Sequence, residues 1–298
     1  MQPYSRMLCT LALCVYTCAG HAAEAPSAGD ARAAFEASLH YETGDVELGG
    51  GIASLHLNPA FRYLAPGDTA RLLTEGWGNP SGDGTLGMLL PVNVGPLDPA
   101  SFGVVITYEE EGHISDADAD KIDYAEMLRS MKERTAKSNE ERRKQGVSEV
   151  ELVGWAEPPH YDAASHKLYW AKELAFKGAE EHTLNYDIRV LGRKGVLVLT
   201  AVSGMAQLES IKRDMRDVVA FTDFKPGNTY AEFDPTVDKV AAYGLAALIA
   251  GGIAAKSGLI AKLIALAIAG KKGIAVVVIG AVAVLRRLFG KRKSGGSA

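Results

Sequence analysis

The sequence predicts an α+β fold, with an antiparallel sheet packed with helices in one acidic domain, one long charged helix, and a C-terminal helical anchor in a membrane. Three observations carry that expectation. Four strand-like runs between positions 149 and 202, the third with residues that divide between two faces, are separated by short turns. Residues 116–145 are dense in opposite charges at i,i+4 spacing. Charge and apolarity are sorted along the chain, since residues 24–238 hold 36 Asp and Glu against 21 Lys and Arg, whereas residues 239–298 hold ten Lys and Arg and no acid.

At the N-terminus, Arg6 precedes an apolar run of 13 residues, Met7 to Ala19, and small residues follow at Ala19-Gly20-His21-Ala22-Ala23. A span of the bilayer needs about 20 apolar residues. Residues 1–23 therefore read as a cleaved secretory signal, with a retained N-terminal anchor as the alternative. Cys9, Cys14 and Cys18 all lie inside this segment. The chain after it contains no thiol, which excludes disulfides, cysteine nucleophiles and thiolate metal sites there and suits an oxidising compartment.

The acidic domain, residues 24–236, begins with a helix over Ala28–Leu39 capped by Ser27. Strands over Asp45–Leu48 and Ile52–Leu57 flank Gly49-Gly50-Gly51, which reads as a hairpin turn because Asn58-Pro59 prevents the helix that a dinucleotide fingerprint requires. Asp68 is placed to cap a short helix, Thr69 to Glu75, before a turn at Trp77-Gly78-Asn79-Pro80. Strands Leu86–Leu90 and Phe102–Tyr108 enclose a loop marked by Pro91, Gly95, Pro96 and Pro99.

The long helix is expected from Asp116 to Gln145, stopping at Gly146. Ser115 stands three residues before Asp118 as a variant capping box, and Arg129–Glu133, Glu133–Lys137 and Glu140–Lys144 are i,i+4 pairs. Its apolar stripe is thin (Ile122, Met127, Leu128, Met131), so it is expected to pack near its start and otherwise to form a projecting arm or connector. A strand-rich unit, 149–224, follows: Glu149–Trp155, Leu168–Phe176, His182–Leu191 and Val196–Val202, with turns at Pro158-Pro159, Gly178 and Gly192–Gly195. His182, Leu184, Tyr186, Ile188 and Val190 fall on one face, and Thr183, Asn185, Asp187 and Arg189 on the other. Short links imply antiparallel pairing. A helix from Met205 to Ala220 then lays Leu208, Ile211, Met215, Val218 and Val219 on the sheet.

From Val240 to Leu288 the sequence is built mainly from Ala, Gly, Ile, Leu and Val, with Lys256, Lys262, Lys271, Lys272, Arg286 and Arg287 as its only charged residues; residues 237–290 read as a membrane anchor of one or two helices, with a buried soluble hairpin as the alternative, followed by a basic tail, 291–298. A basic tail in the cytoplasm and an acidic domain outside favour an odd number of crossings. Ala247, Gly251 and Ala255 recur at helical spacing, a pattern that permits self-association within the bilayer.

Several segments together resemble a known bacterial family. They are Trp77-Gly78-Asn79-Pro80, Gly154-Trp155-Ala156-Glu157-Pro158-Pro159-His160-Tyr161-Asp162, Leu168-Tyr169-Trp170-Ala171-Lys172, Leu184-Asn185-Tyr186-Asp187-Ile188-Arg189 and Asp238-Lys239-Val240-Ala241-Ala242-Tyr243-Gly244. The chain from about Gly44 to Gly290 is similar to the uncharacterised membrane-anchored proteins of domain of unknown function 2167. The resemblance implies a signal, a periplasmic or otherwise extracytoplasmic domain and an anchor in the bacterial inner membrane. It supplies no activity and no catalytic residue. The second half also resembles in layout the small α/β/α sandwich domains of photosystem-II accessory and Mog-type proteins, an analogy of fold alone.

Chemistry-bearing patterns are few. His160, Asp162 and His166 gather imidazole and carboxylate around one turn, a candidate metal set or, more simply, a polar hairpin turn with local hydrogen bonds. With Trp155 and Tyr161, and with Trp77 and Asn79, they form the candidate interaction surface, because loops held by rigid strands concentrate binding residues. Asp116, Asp118 and Asp120 imitate the start of a calcium loop, but Lys121 and Met127 occupy the positions that need Gly and Glu, so they read as acids at a helix N-terminus. No nucleophile elbow, zinc-protease motif, phosphate loop or cofactor fingerprint is present. Arg142-Arg143-Lys144 sits in an acidic exported domain, which makes nucleic acid a poor partner. The expected function is a binding or scaffold module at the cell envelope, with the bilayer and an envelope protein as partners and no cofactor. The alternatives are a metal-dependent hydrolase using His160, Asp162 and His166, and a small-ligand sensor.

Overall fold

The computed structural model describes residues 28–79, 81–144, 146 and 148–251; the expected signal with Ser27, the expected anchor from Gly252 onward and the basic tail lie outside the described residues. In chain order the strands are β1 (Tyr41–Glu42), β2 (Asp45–Leu48), β3 (Ala53–His56), β4 (Phe61–Leu64), β5 (Gly87–Pro91), β6 (Val104–Glu109), β7 (Val150–Asp162), β8 (Lys167–Phe176), β9 (Thr183–Leu191), β10 (Val196–Gly204) and β11 (Thr222–Phe224). The α-helices are α1 (Ala28–Ala37), α2 (Pro66–Arg71), α3 (Tyr124–Lys144), α4 (Leu208–Phe221) and α5 (Leu245–Ile249). The fold is α+β, as the sequence predicts.

One eight-stranded antiparallel sheet runs in the order β1-β4-β5-β6-β10-β9-β8-β7, and β11-β3-β2 form a second, smaller sheet. The strand-rich unit 149–224 is therefore half of a continuous sheet, joined to the first half where β10 pairs with β6 from Val196↔Glu109 to Ala201↔Val104. The alternation in β9 works as expected on both faces. Leu184, Tyr186, Ile188 and Val190 join Leu197, Leu199 and Ala201 beneath Ile211, Met215 and Val218 of α4 and beneath Val46, Leu48 and Leu55 of the small sheet. Burial of each such aliphatic side chain contributes roughly 1.5–3 kcal/mol. Gly49, Gly50 and Gly51 turn the β2–β3 hairpin with φ of 56°, 68° and 95°, values that side-chain-bearing residues rarely adopt.

The second face of β9 is also buried, around charge. Asp187 accepts a hydrogen bond from Thr200 Oγ1 at 3.0 Å and pairs with Lys172 Nζ at 3.1 Å and Arg189 Nη2 at 3.3 Å. Burial alone would raise its pKa, but the two cations and the hydroxyl hold it below the usual carboxylate range. The Arg189 guanidinium lies 5.0 Å from the Trp170 ring centroid.

What covers this face corrects the expected anchor boundary. Ala241, Leu245, Leu248 and Ile249 pack on Leu168, Trp170, Leu191, Val196 and Val198 as one buried cluster. Residues 240–251, placed by composition in the first membrane helix, instead pack on the domain's sheet, with Ala241, Leu245, Leu248 and Ile249 buried in its core and Val240 exposed. Val240 bridges His113, α5 spans five residues only, and Gly251 turns the chain with φ of 83°. An apolar stretch without a polar face is what a segment buried on a sheet also requires. Ala247 and Gly251 consequently do not share one helical face, and Ala255 lies outside the described residues. No helix among the described residues is long and apolar enough to cross a membrane.

Three further expectations shift. The long helix starts at Tyr124, after a 3-10 turn at Ala119–Lys121, because Asp123 Oδ1 accepts from the N–H groups of Ala125 and Glu126, each at 2.9 Å. Ser115 Oγ instead accepts from Ala117 N in a local turn. The helix is no projecting arm. Met131 joins Leu152, Leu174 and Phe176 in a buried cluster, and the Asn139 side chain both donates to Val150 O and accepts from Val150 N, each at 2.9 Å. Pro158-Pro159 is not a turn either, since β7 runs through it with register shifts between Leu152 and His160. An edge strand tolerates proline because its outer N–H groups face no partner. Finally, Pro66 starts α2, which passes directly into a π-turn at Leu72–Gly76. Asp68 does not cap it but accepts from His40 N at 2.9 Å and from Arg71 Nη1 at 2.9 Å.

Candidate functional site

The β7–β8 hairpin closes through Ala163, Ala164, Ser165 and His166, since Asp162 pairs with Lys167. Asp162 shapes the turn by accepting from Ala164 N at 3.0 Å and from Ser165 Oγ at 2.6 Å. His166 ends it with φ of 53°, alone among the described non-glycine residues in having a positive φ. A left-handed residue is the ordinary way to close such a loop, and histidine tolerates it better than most. The Leu191 N–H donates to His166 O at 3.0 Å and ties the turn to the sheet.

That backbone brings the His166 ring into a cluster drawn from three separate segments. Tyr161, from the hairpin, donates its phenol hydrogen to Asp116 Oδ2 at 2.6 Å and stands 3.0 Å from His166 Nδ1. Asp116 belongs to the loop after β6, where its N–H donates to Tyr230 Oη at 3.2 Å, and Tyr230 donates in turn to Ile114 O at 2.9 Å. Tyr230 opens a 3-10 turn fixed by a Thr229–Glu232 capping box. Its ring lies between two imidazoles, with centroids 4.1 Å from His166 and 4.3 Å from His113, and His113 stacks on Phe233 at 3.9 Å. His166 and Asp116 side chains keep 27% and 31% of their surface open to solvent. The cluster is therefore fixed from below and accessible from above.

The electrostatics follow from this packing. Burial works against ionisation of Asp116, yet the hydrogen bond from Tyr161, followed by the contact with the Tyr230 hydroxyl, brings its pKa below the usual range. Burial and the Asp116 charge push Tyr161 well above an ordinary phenol, and the same two causes push Tyr230 up to about 12. Burial pulls His113 below an ordinary imidazole. Both phenols thus stay protonated, and Asp116 stays a carboxylate, throughout the physiological range.

The structure separates the residues grouped by sequence. His160 is exposed, with its ring centroid 5.0 Å from that of Tyr169, while the Asp162 carboxylate is engaged by its own turn and His166 turns toward Tyr161. The three do not converge, and among the described residues no group of three or more His, Cys, Asp and Glu is placed to share a metal ion. Trp77 donates Nε1–H to Pro96 O at 2.9 Å and packs with Leu64, Leu72 and Met88, and Asn79 is buried. Both lie on the β4–β5 side of the sheet, away from the hairpin. Trp155 is half-buried and donates to Tyr124 O at 3.3 Å. Of the expected surface, His160, Tyr161 and His166 share the hairpin. Asp116, His113 and Tyr230 were not singled out for this site by the sequence. Asp118 does meet a helix N-terminus, that of α5, where it accepts from Leu245 N at 3.2 Å and Ala246 N at 3.3 Å.

The sequence model of a family described as "Protein of unknown function (DUF2167)" matches residues 40–283. Solved structures similar to the chain include the cyanobacterial PsbP protein CyanoP of Synechocystis sp. PCC 6803, at 12% identity over 63% of this chain and 94% of that one, with a TM-score of 0.32. The Ran-binding protein Mog1p of Saccharomyces cerevisiae is 9% identical over 62% of this chain and 96% of its own, with a TM-score of 0.32. LpqN of Mycobacterium tuberculosis, involved in cell envelope biogenesis, is 12% identical over 65% of this chain and 96% of its own, with a TM-score of 0.31. No curated protein matches the chain.

Proposed function

Since the chain belongs to the DUF2167 family of proteins of unknown function, we propose an activity from its own geometry: it is an extracytoplasmic binding module whose partner docks on the tip of the β7–β8 hairpin. The observation that carries this reading is the convergence of Asp116, Tyr161, His166 and Tyr230 from three distant segments into one rigid, half-open cluster. Tyrosine and histidine bring apolar bodies with polar tips at small entropic cost, which suits a docking surface. An exported location is supported by the apolar run after Arg6 and by a chain without cysteine beyond Cys18. A bilayer tether is supported by the apolar composition of residues 252–285 and the basic cluster from Arg286 to Lys293.

A photo-crosslinking residue placed at Ser165 in intact cells tests the docking surface, with one at the exposed Asp83 as control. The expected result is a protein adduct from position 165, absent from position 83 and lost in His166→Ala. Identical adduct patterns from the two positions would overturn the proposal.

A further inference from the structure

We infer that Asp116 and Tyr161 hold His166 in the tautomer protonated on Nδ1, so that the site offers the Nε2 lone pair and takes from its partner a cationic hydrogen-bond donor, the ammonium or guanidinium of a basic side chain. This deepens the reading of the cluster as a docking surface and rests on it.

The tautomer follows from counting hydrogens. Tyr161 Oη and Asp116 Oδ2 are 2.6 Å apart, a separation that requires a hydrogen between them. An ionised carboxylate has none to give, so the hydrogen is the phenol's. Tyr161 has only that one. Its oxygen can therefore meet His166 Nδ1, 3.0 Å away, only as an acceptor, and Nδ1 must carry the hydrogen. Asp116 Oδ2 lies 3.6 Å from Nδ1, too far to replace the phenol in this role. In a neutral imidazole the other nitrogen is then an unprotonated acceptor. Nε2 makes no hydrogen bond among the described residues, and the ring is partly open to solvent.

The charge of the group that would meet Nε2 follows from the surroundings. From the loop after β6 come Asp116, half-exposed beside the ring, and His113, held neutral by burial behind Tyr230. From the hairpin comes Asp162, and from the third segment Tyr230, a neutral phenol. Of the two basic residues in the neighbouring turn, Arg193 is bound to Asp238 at 2.6 Å, and the exposed Lys194 adds its charge to the same carboxylate. The ring thus sits beside carboxylates, while the cations of the neighbouring turn act on Asp238. A donor that also carries positive charge satisfies the lone pair and the field together.

The test uses full-length protein in detergent micelles, labelled with 15N-histidine and held at pH 8. Long-range 1H–15N correlations should show His166, identified by the signal lost in His166→Gln, as the Nδ1–H form. Tyr161→Phe removes the acceptor, and His166 should revert to the Nε2–H form that free imidazoles favour in water. Asp116→Asn, which can turn its amide hydrogens toward Tyr161 and release the phenol hydrogen to Nδ1, should do the same where Tyr161→Phe does not fold. An Nε2–H signal in the unmodified protein, or an Nδ1–H signal that survives both changes, would overturn the lock. A short lysine peptide should then shift the His166 Nε2 resonance and its Nε-acetylated counterpart should not. Equal responses, or none, would overturn the cationic donor. The tautomer is read with no partner present, so its failure and that of the in-cell capture at position 165 are distinguishable.

Discussion

Lys172 Nζ stands 3.1 Å from Oδ2 of Asp187, a residue 1% exposed at the centre of the large sheet. Among the described residues it is the one acid ion-paired with both the half-buried Lys172 and the buried Arg189. Asp187→Ala therefore leaves two like charges facing each other and Thr200 without its acceptor. A loss of about 3–5 kcal/mol is expected in urea unfolding. Lys172→Met should cost less, because Arg189 still balances Asp187.

His113 gives stability a pH dependence of known sign. Its folded-state pKa is depressed by burial, so the unfolded chain binds the proton more readily. The contribution of neutral His113 is complete above the ordinary imidazole pKa of about 6.5 and is lost as pH falls below it toward the depressed folded value. Melting temperature should thus fall between pH 7 and pH 5 with a steeper slope in the unmodified protein than in His113→Asn. Parallel slopes would remove His113 from the account.

Leu245 and Leu248 distinguish a core segment from a membrane segment. Both are buried against the sheet beside Trp170. Leu245→Ala or Leu248→Ala should destabilise the domain by about 2–5 kcal/mol in urea unfolding, as for other large-to-small core changes. A membrane residue would leave the unfolding of the acidic domain unchanged.

Asn139 holds the far half of α3 to the sheet edge through its two hydrogen bonds with Val150. Asn139→Ala should cost about 1–3 kcal/mol. Hydrogen exchange should quicken in residues 136–144 and in Val150 while β9 and β10 remain protected.

Much of the sheet was legible because it follows from period-two alternation. β8, β9 and β10 and the buried stripe of α4 appear where the pattern puts them, since each has one face whose burial is strongly favoured. β4, four residues long, and β11, three residues long, are too short to show a period. Composition misled at residues 240–251, because a segment buried on a sheet and one buried in lipid can carry the same apolar residues. The cluster was half visible. Tyr161 and His166 share a hairpin, but Asp116 lies 45 residues from Tyr161 and Tyr230 lies 114 residues from Asp116. No local spacing announces contacts made only once β6, the hairpin and the 230–241 segment have come together. The acids at 116, 118 and 120 read as the charged N-terminus of the long helix, whereas Asp116 binds Tyr161 and Asp118 the start of α5, both across the fold.

The seating of α5 on Trp170 also has a mechanical meaning. There is no slack between the sheet and Gly251: the strap from Val240 to Ile249 is bridged to His113 at one end and wedged over Leu168 and Val198 along its length. Tension applied to the chain beyond Gly251 would load β8 and β10 directly, and through Leu191 the backbone of His166 at the hairpin tip. A tether at that end and the cluster of Asp116, Tyr161 and His166 would sit on one stiff lever, not at opposite ends of a loose cord.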